Sequence, residues 1–536
     1  MKNLIEKKNR RLILLIILLS GIGFRLFHYL YNRSLWMDEV YLSSSLIRMN
    51  YTDLATQVLD YQQKAPIGFL WMVRFVITLF GNNEIVLRLI PLLSGIISLF
   101  LYIKVCRSFL TPLGQIVAIC IFSFAPALVY HSVEIKQYST ECLSTVIALY
   151  LFIKFKDSTS WKKKLMWGTL GAAILWFSFS VIFILGGIAA GMTFNFILNK
   201  DWKSLFNNLI SFSIWGVSFL VNYIVFTHKH VDSEWIVYWF KTYNNFMPFP
   251  PLSIQELKWF PSNFLQMMDY PLGLVWNLRQ ISTSTLFKLL TTPVIPSILL
   301  FTGIFSTFRK SRESFYILFF PILLMLLASG LYMYPLLERF WVFITPIFIL
   351  FISIGFDYYV TRIKSGTIVW ILFLLLTCGA LIQSIYFITH PENFYKHKKS
   401  FVKECFIYID NNFQNDDAVY NYWNNSPGYS VYKKVCHFKY NAIVGQDFRK
   451  VSLDLSDYNK RLQNDFKQFS DKKRVWLVFN NQFLTDIGDK IDDPVWYYKN
   501  KISPTANLVA QFSKTRKPIK KITFKDVTVY LFENTK

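Results

Sequence analysis

Charge is scarce in this chain. Asp, Glu, Lys and Arg make up 17% of its 536 residues, against roughly a quarter in an ordinary soluble protein. Acids are scarcer than bases, 33 against 57, which leaves a net charge of +24. There are six cysteines, Cys106, Cys120, Cys142, Cys378, Cys405 and Cys436, and no CxxC. That spacing excludes a metal knuckle and a dithiol redox motif. Cys405 and Cys436, the two in the C-terminal region, are read either as a disulfide or as two free thiols. No Walker A and no GxGxxG opening a helix occurs, so nothing supports a nucleotide-sugar donor. His28, His131, His228 and His230 have no HExxH-like spacing, which leaves them as lone histidines. No basic–aromatic module of the kind that binds nucleic acid is present. Internal repeats and low-complexity tracts are also missing.

Long apolar runs fill the chain instead. It is 53% hydrophobic and 18% aromatic, with a mean hydropathy of +0.32. About 20 apolar residues cross a bilayer as a helix. Stretches of this kind lie at 11–31, 84–104, 112–131, 139–155, 163–180, 181–198, 204–226, 283–307, 314–333, 340–358 and 367–388. The reading is therefore an α-helical multi-pass membrane protein with about eleven spans. The first run follows Lys7–Arg11 and continues to about Tyr31 with no small-residue cleavage site, so it is taken as an uncleaved span.

The basic residues set the orientation. Lys7–Arg11, Lys104/Arg107, Lys154–Lys164, Lys200/Lys203, Arg309–Arg312 and Arg362/Lys364 fall in alternate loops. Cytoplasmic loops carry the excess of Lys and Arg, which predicts an N-terminus inside and a C-terminus outside. Segment 32–83, the Glu134 loop, loop 227–282, the Leu336–Arg339 turn and residues 391–536 then share the outer face. Within 32–83 the apolar stretch from Pro66 to Phe80 is short for a span, and is predicted to be an interfacial or half-inserted helix. Residues 1–390 form the membrane domain. Beyond it, 418–423, 475–479 and 527–532 read as strands, with helices over 398–412 and 456–469, so 391–536 is predicted to be a small α/β domain outside the membrane.

Acids at a membrane face mark water, a cation or chemistry. Asp38 and Glu39, in Trp36-Met37-Asp38-Glu39, and Glu134, in His131-Ser-Val-Glu134, all fall on the predicted outer face. The plain alternatives are a charged helix start for the first two and a solvated acid beside Lys136 for the third. A carboxylate there could serve as a general base or, as Asp38 with Glu134, ligate a divalent ion. Lys64, Arg88 and Arg339 are outer-face cations that run against the positive-inside bias. They are read as holding a phosphate at the membrane surface, with snorkelling anchors as the alternative.

Together these residues resemble the C-type membrane glycosyltransferases, in the bacterial branch grouped with protein O-mannosyltransferases and the lipid A aminoarabinose transferase. The resemblance is carried by Trp36-Met-Asp38-Glu39, Tyr61-Gln-Gln-Lys64-Ala-Pro66-Ile-Gly-Phe-Leu-Trp71, Leu79-Phe80-Gly81-Asn-Asn-Glu84 leading to Arg88, Val133-Glu134-Ile-Lys-Gln-Tyr138, and Glu338-Arg339-Phe340. It runs in detail over about residues 10–140 and loosely to 390. It implies transfer of a sugar from a polyprenyl-phosphate donor at the outer face of the plasma membrane, with inversion. Asp38 would be the catalytic carboxylate, with Glu39 and Glu134 shaping the site. Lys64, Arg88 and Arg339 would hold the lipid phosphate, and Tyr61 would line the donor site. The second acid is Glu39 where some relatives carry aspartate, which leaves a metal role open. The acceptor could be protein, lipid or glycan. A transporter or flippase, a scaffold protein and a surface-polysaccharide polymerase or ligase remain as alternatives.

Overall fold

The structure is a computed structural model that describes residues 7–228, 234–276, 291–395, 398–482, 496–497 and 503–534. Each of the eleven apolar stretches has a helical counterpart among them. Among the described residues seven helices are long and apolar enough to cross a bilayer: Asn9–Tyr31, Leu89–Phe109, Val181–Leu198, Trp202–Thr227, Arg312–Gly330, Glu338–Val360 and Gly366–Thr389. The helices Tyr138–Phe155, Trp161–Leu175 and Val294–Lys310 fall short of that measure in length or hydropathy. The stretch expected at 84–104 begins later. Glu84–Leu87 is a separate turn capped by Asn83, and the long helix starts at Leu89. The start of the stretch expected at 283–307 lies outside the described residues.

The 112–131 stretch is broken. Pro112–Phe124 and Pro126–His131 meet at Ala125, whose backbone is non-helical (φ −55°, ψ 118°) because Pro126 follows it. The carbonyls freed by the break need donors in an apolar setting. Arg25 donates to Ser123 O at 2.9 Å and Phe122 O at 3.3 Å, and Ser384 Oγ donates to Phe124 O at 2.7 Å. Elsewhere the helices pack in pairs: Val294–Lys310 on Thr345–Val360, Val181–Leu198 on Arg312–Gly330, and Trp161–Leu175 on Trp202–Asn222. The first pair touches backbone to backbone. A Cβ on Gly303 would lie 1.8 Å from Phe351 O, and one on Gly355 would lie 1.9 Å from Leu299 O.

The loops lie at the two ends of this bundle. At one end Lys156 pairs with Glu313 at 2.8 Å, Lys164 Nζ donates to Phe155 O at 3.0 Å and Asn208 Oδ1 at 2.6 Å, and Thr111 N donates to Asp357 Oδ2 at 2.8 Å. At the other end lie the first long loop, the Glu134 loop, residues 244–276 and the Leu336–Arg339 turn. The first loop folds into Met37–Arg48, Tyr51–Thr56, Asp60–Gln62 and Ile67–Phe80. At 14 residues the last spans about 21 Å, short of the roughly 30 Å hydrocarbon core. It leaves Trp71, Phe75, Leu79 and Phe80 exposed, which suits the expected interfacial helix.

The C-terminal part holds a five-stranded sheet: β1 (Ala418–Asn421), β2 (Ile443–Val444), β3 (Arg474–Asn480), β4 (Arg516–Thr523) and β5 (Val527–Asn534), in the order β2-β1-β3-β5-β4. β2, β1 and β3 are parallel, and β5 and β4 are antiparallel. The helices Val402–Asn412 and Leu455–Phe466 match the two expected. β2 and β4 were not anticipated: β2 is two residues long, and β4 interleaves Lys and Pro518. Cys405 and Cys436 are free thiols, as are the other four cysteines. The expected boundary at 390/391 is crossed by one continuous apolar core, in which Leu35, Leu42 and Phe69 of the first loop pack with Phe406, Tyr429 and Trp476 of the sheet domain. Tyr432 fastens the two parts: its hydroxyl donates to Glu84 Oε1 at 3.0 Å and accepts from Leu35 N at 2.7 Å.

Candidate active site

The helix Met37–Arg48 opens on Asp38 and Glu39, acids placed in the first turn where the helix dipole favours them. Adjacent residues point about 100° apart on a helix, and the structure uses that divergence. Glu39 turns inward and is fully buried. Its carboxylate accepts from Arg33 Nη1 at 2.5 Å, Arg88 Nε at 3.3 Å and Nη2 at 3.2 Å, and the backbone N–H of Ile135 at 3.0 Å. Burial pushes this carboxyl up, but the two guanidiniums outweigh it and hold Glu39 below the usual carboxylate range. Asp38 turns outward and is 25% exposed; Arg339, 24% exposed, meets its Oδ2 at 2.6 Å.

Glu134 is buried beneath this pair. Oε1 accepts from Trp36 Nε1 at 3.2 Å and the Tyr130 hydroxyl at 3.1 Å, and Oε2 lies 2.7 Å from His131 Nδ1. The Tyr270 hydroxyl in turn reaches His131 Nε2, so with Nδ1 donating, Nε2 accepts. Burial raises the Glu134 carboxyl, while His131, Lys398 and Arg339 more than reverse that and hold it well below the usual range. Through Trp36, Glu134 steadies the start of the helix that carries Asp38.

Lys64 is half-buried. The loop before it contains two consecutive left-handed residues, Tyr61 (φ 55°) and Gln62 (φ 51°), a conformation that costs energy outside glycine and persists only when surroundings impose it. Tyr61 stacks on Tyr41 at 4.5 Å. Asp60 pins the loop through Ser44 Oγ at 2.6 Å and Arg48 Nη2 at 2.6 Å. Lys136 donates to Gln63 Oε1, which ties the segment carrying Lys64 to the Glu134 loop.

Asp38, Glu39, Glu134, Arg88 and Arg339 therefore come together, with the Lys64 loop fastened beside them. Their parts differ from the sequence reading in two respects. Arg88 was read as holding lipid phosphate, but four of its donor contacts are made inside the protein, to Glu39 twice, Asn32 Oδ1 at 3.0 Å and Arg33 O at 2.8 Å, and it is buried. It anchors Glu39. Asp38 and Glu134 were also read as possible ligands of a divalent ion. Glu134's oxygens are occupied by the three groups named above, Asp38 alone does not make a ligand set, and no group of three His, Cys, Asp or Glu gathers as one among the described residues. These residues do not fit a metal site.

Sequence reasoning missed Arg33, Tyr130, Tyr270 and Lys398. Arg33 carried a usable signal, since it is another arginine on the predicted outer face and opposes the positive-inside bias. His131, read as a lone histidine, supports Glu134. His28 lies tilted against Phe394, ring centroids 4.3 Å apart, His228 is near Tyr223 O at 3.2 Å, and His230 lies outside the described residues.

The structure aligns with ArnT of Cupriavidus metallidurans bound to undecaprenyl phosphate at a TM-score of 0.52, with 12% identity, over 96% of this chain and 97% of that one. It aligns with the Archaeoglobus fulgidus oligosaccharyltransferase tethered to an acceptor peptide at a TM-score of 0.52, with 12% identity, over 100% of this chain and 75% of that one. The fold is that of a C-type membrane glycosyltransferase. The apo form of the archaeal enzyme gives the same score at 13% identity, over 92% of this chain and 71% of that one. Residues 64–228 of this chain match the family described as dolichyl-phosphate-mannose-protein mannosyltransferase. The matched stretch holds Lys64, Arg88 and Glu134, while Asp38, Glu39, Tyr61 and Arg339 fall outside it. No curated protein matches the chain by sequence.

Proposed function

We propose that this protein transfers a sugar from a polyprenyl-phosphate donor to an acceptor at the extracytoplasmic face of the plasma membrane, with Asp38 as the catalytic base. One observation carries the reading: of the three clustered acids, Asp38 alone is accessible, and it sits against an arginine that is itself partly exposed. Glu39 and Glu134 are sealed in hydrogen bonds.

In the proposed reaction an acceptor O–H or N–H attacks the anomeric carbon on the face opposite the phosphate. The bond from that carbon to the phosphate oxygen breaks, and its electron pair stays on the lipid phosphate. The acceptor's proton passes to Asp38. Charge developing on the leaving phosphate is met by Arg339 and Lys64, and backside attack inverts the anomeric carbon. Arg339 leaves Asp38 for the phosphate as donor binds, which frees the carboxylate to act as a base. Tyr61, held on Tyr41, lines the donor side. The similarity in fold to an enzyme solved with undecaprenyl phosphate supports a lipid-phosphate donor, and the basic loops at the opposite end of the bundle support an outward-facing site.

The experiment is transfer of labelled sugar from a panel of polyprenyl-phosphate sugars in proteoliposomes, with the anomeric configuration of the product read by NMR. Transfer with inversion supports the reading. Transfer with retention, or vectorial movement of lipid-linked sugar without transfer, contradicts it, and the second outcome favours a flippase.

A further inference from the structure

A cavity of about 250 Å³ borders the Glu134 cluster at Tyr130, lined by Tyr130, Tyr270, Lys398, Gln383, Tyr386 and Phe387, with Asp269 at its exposed rim. Tyr130 is the partition. Its hydroxyl donates to Glu134, while its ring faces Lys398, whose Nζ is 4.3 Å from the ring centroid. Three nearby lysines contrast sharply. Lys399 pairs with Glu404 at 3.1 Å and Lys403 pairs with Glu84. For Lys398, no carboxylate lies within ion-pair distance among the described residues; its one hydrogen bond is to the Tyr270 hydroxyl at 3.5 Å. An ammonium has three donors, so this one keeps capacity for a ligand.

The walls state what kind of ligand fits. Gln383, Tyr386 and Phe387 come from the last turns of Gly366–Thr389, whose Ile382 and Ile385 are exposed along the same helix, so the cavity sits at the head-group end of a membrane helix. Ligand pockets usually start at about 300 Å³, which makes this one the size of a head group rather than of a whole lipid-linked sugar. A cation among aromatic rings at that depth suits an anion carried on an apolar stem.

We propose that this cavity binds a phosphate-class anion, with Lys398 Nζ as its donor and the rings of Tyr130 and Phe387 against whatever carries it. The anion is either a lipid head group or free phosphate. This cavity adjoins the Asp38–Arg339 cluster through Tyr130 and Glu134, and its test needs no sugar transfer.

The full-length protein in detergent is examined by native mass spectrometry with dihexanoyl phosphatidic acid and, as the neutral control, dihexanoylglycerol. Both are measured in wild type and in Arg339→Gln, which weakens the first site. Phosphatidic acid is retained over the neutral lipid in both proteins, Lys398→Met weakens it by about tenfold or more, the worth of a charge-assisted hydrogen bond, and Lys398→Arg keeps it. In wild type alone, phosphatidic acid slows acylation of Lys398 and leaves exposed Lys433 unchanged. Displacement by millimolar inorganic phosphate identifies free phosphate as a ligand, and failure to displace identifies the lipid-borne group. Equal retention of the acid and neutral lipids, undiminished binding by Lys398→Met, or unprotected Lys398 overturns the proposal.

Discussion

Arg339 Nη1 donates to Asp38 Oδ2 over 2.6 Å, joining residues 301 positions apart in the chain. The pair closes the exposed side of a cluster whose inner members, Glu39 with Arg33 and Arg88, are fully buried. In the proposed mechanism the outer arginine exchanges this carboxylate for a phosphate, while the inner two hold Glu39.

Arg339→Gln separates those roles. It removes a charge-assisted contact to the donor phosphate, worth about 1.5–3 kcal/mol, so KM for the lipid-linked donor rises roughly 10- to 100-fold while the protein stays folded. Steady-state kinetics at varied donor measure it. An unchanged donor KM contradicts the assignment of Arg339 to the phosphate.

Glu39→Gln acts on stability. Neutralising it leaves Arg33 and Arg88 as buried guanidiniums without their counter-ion, and breaking such a pair costs about 3–5 kcal/mol. The variant is expected to lose much of its monodisperse peak in gel filtration and to unfold well below wild type on heating. A well-folded Glu39→Gln with lost turnover would instead give Glu39 a chemical part.

Acid destabilises the protein through the same acids. Glu39 and Glu134 are both held below the usual carboxylate range, against the upward push of burial, by the neighbouring cations. Their contribution is complete above the unfolded carboxylate value of about 4.3 and is lost as pH falls from there toward the depressed folded values. The apparent Tm is expected to be level down to about pH 5 and to fall below about pH 4. In Glu134→Gln the neutral Tm is lower and the acid fall shallower. A wild-type Tm that rises on acidification contradicts this.

Gly355→Ala tests the helix pair behind the site. Its added Cβ would meet Leu299 O, a backbone atom that cannot rotate away, so Val294–Lys310 and Thr345–Val360 must part. Overpacking of this kind costs about 1–3 kcal/mol. Gly366→Ala, with nothing within 4 Å of its added Cβ, is the control that leaves thermal stability unchanged.

What was legible in the sequence followed from one-dimensional patterns. Apolar runs gave the helices, the alternation of basic loops sorted the loop ends, and Asp38 with Arg339 emerged from acids and arginines on one face. Contacts made by folding were not legible. Arg88 and Arg339 look alike in the sequence, as arginines on the predicted outer face, and only the turn of Glu39 into the core makes one an anchor and leaves the other at the opening. Lys398 sits in a run with Lys399, where nothing local says that one finds a glutamate and the other a cavity. β4 escaped notice because its Lys-rich, Pro-containing sequence, mostly exposed at the sheet edge, hides the alternation that marks a strand.

The central claim, that Asp38 is the base, is tested most directly by Asp38→Asn in proteoliposomes with a donor that wild type uses. The substitution keeps shape and a hydrogen-bond acceptor for Arg339 but removes the proton acceptor, and loss of a general base costs about 10²- to 10⁴-fold in rate. The account predicts that loss in kcat, with gel-filtration profile and donor binding retained. Turnover within a few-fold of wild type in folded Asp38→Asn would contradict it.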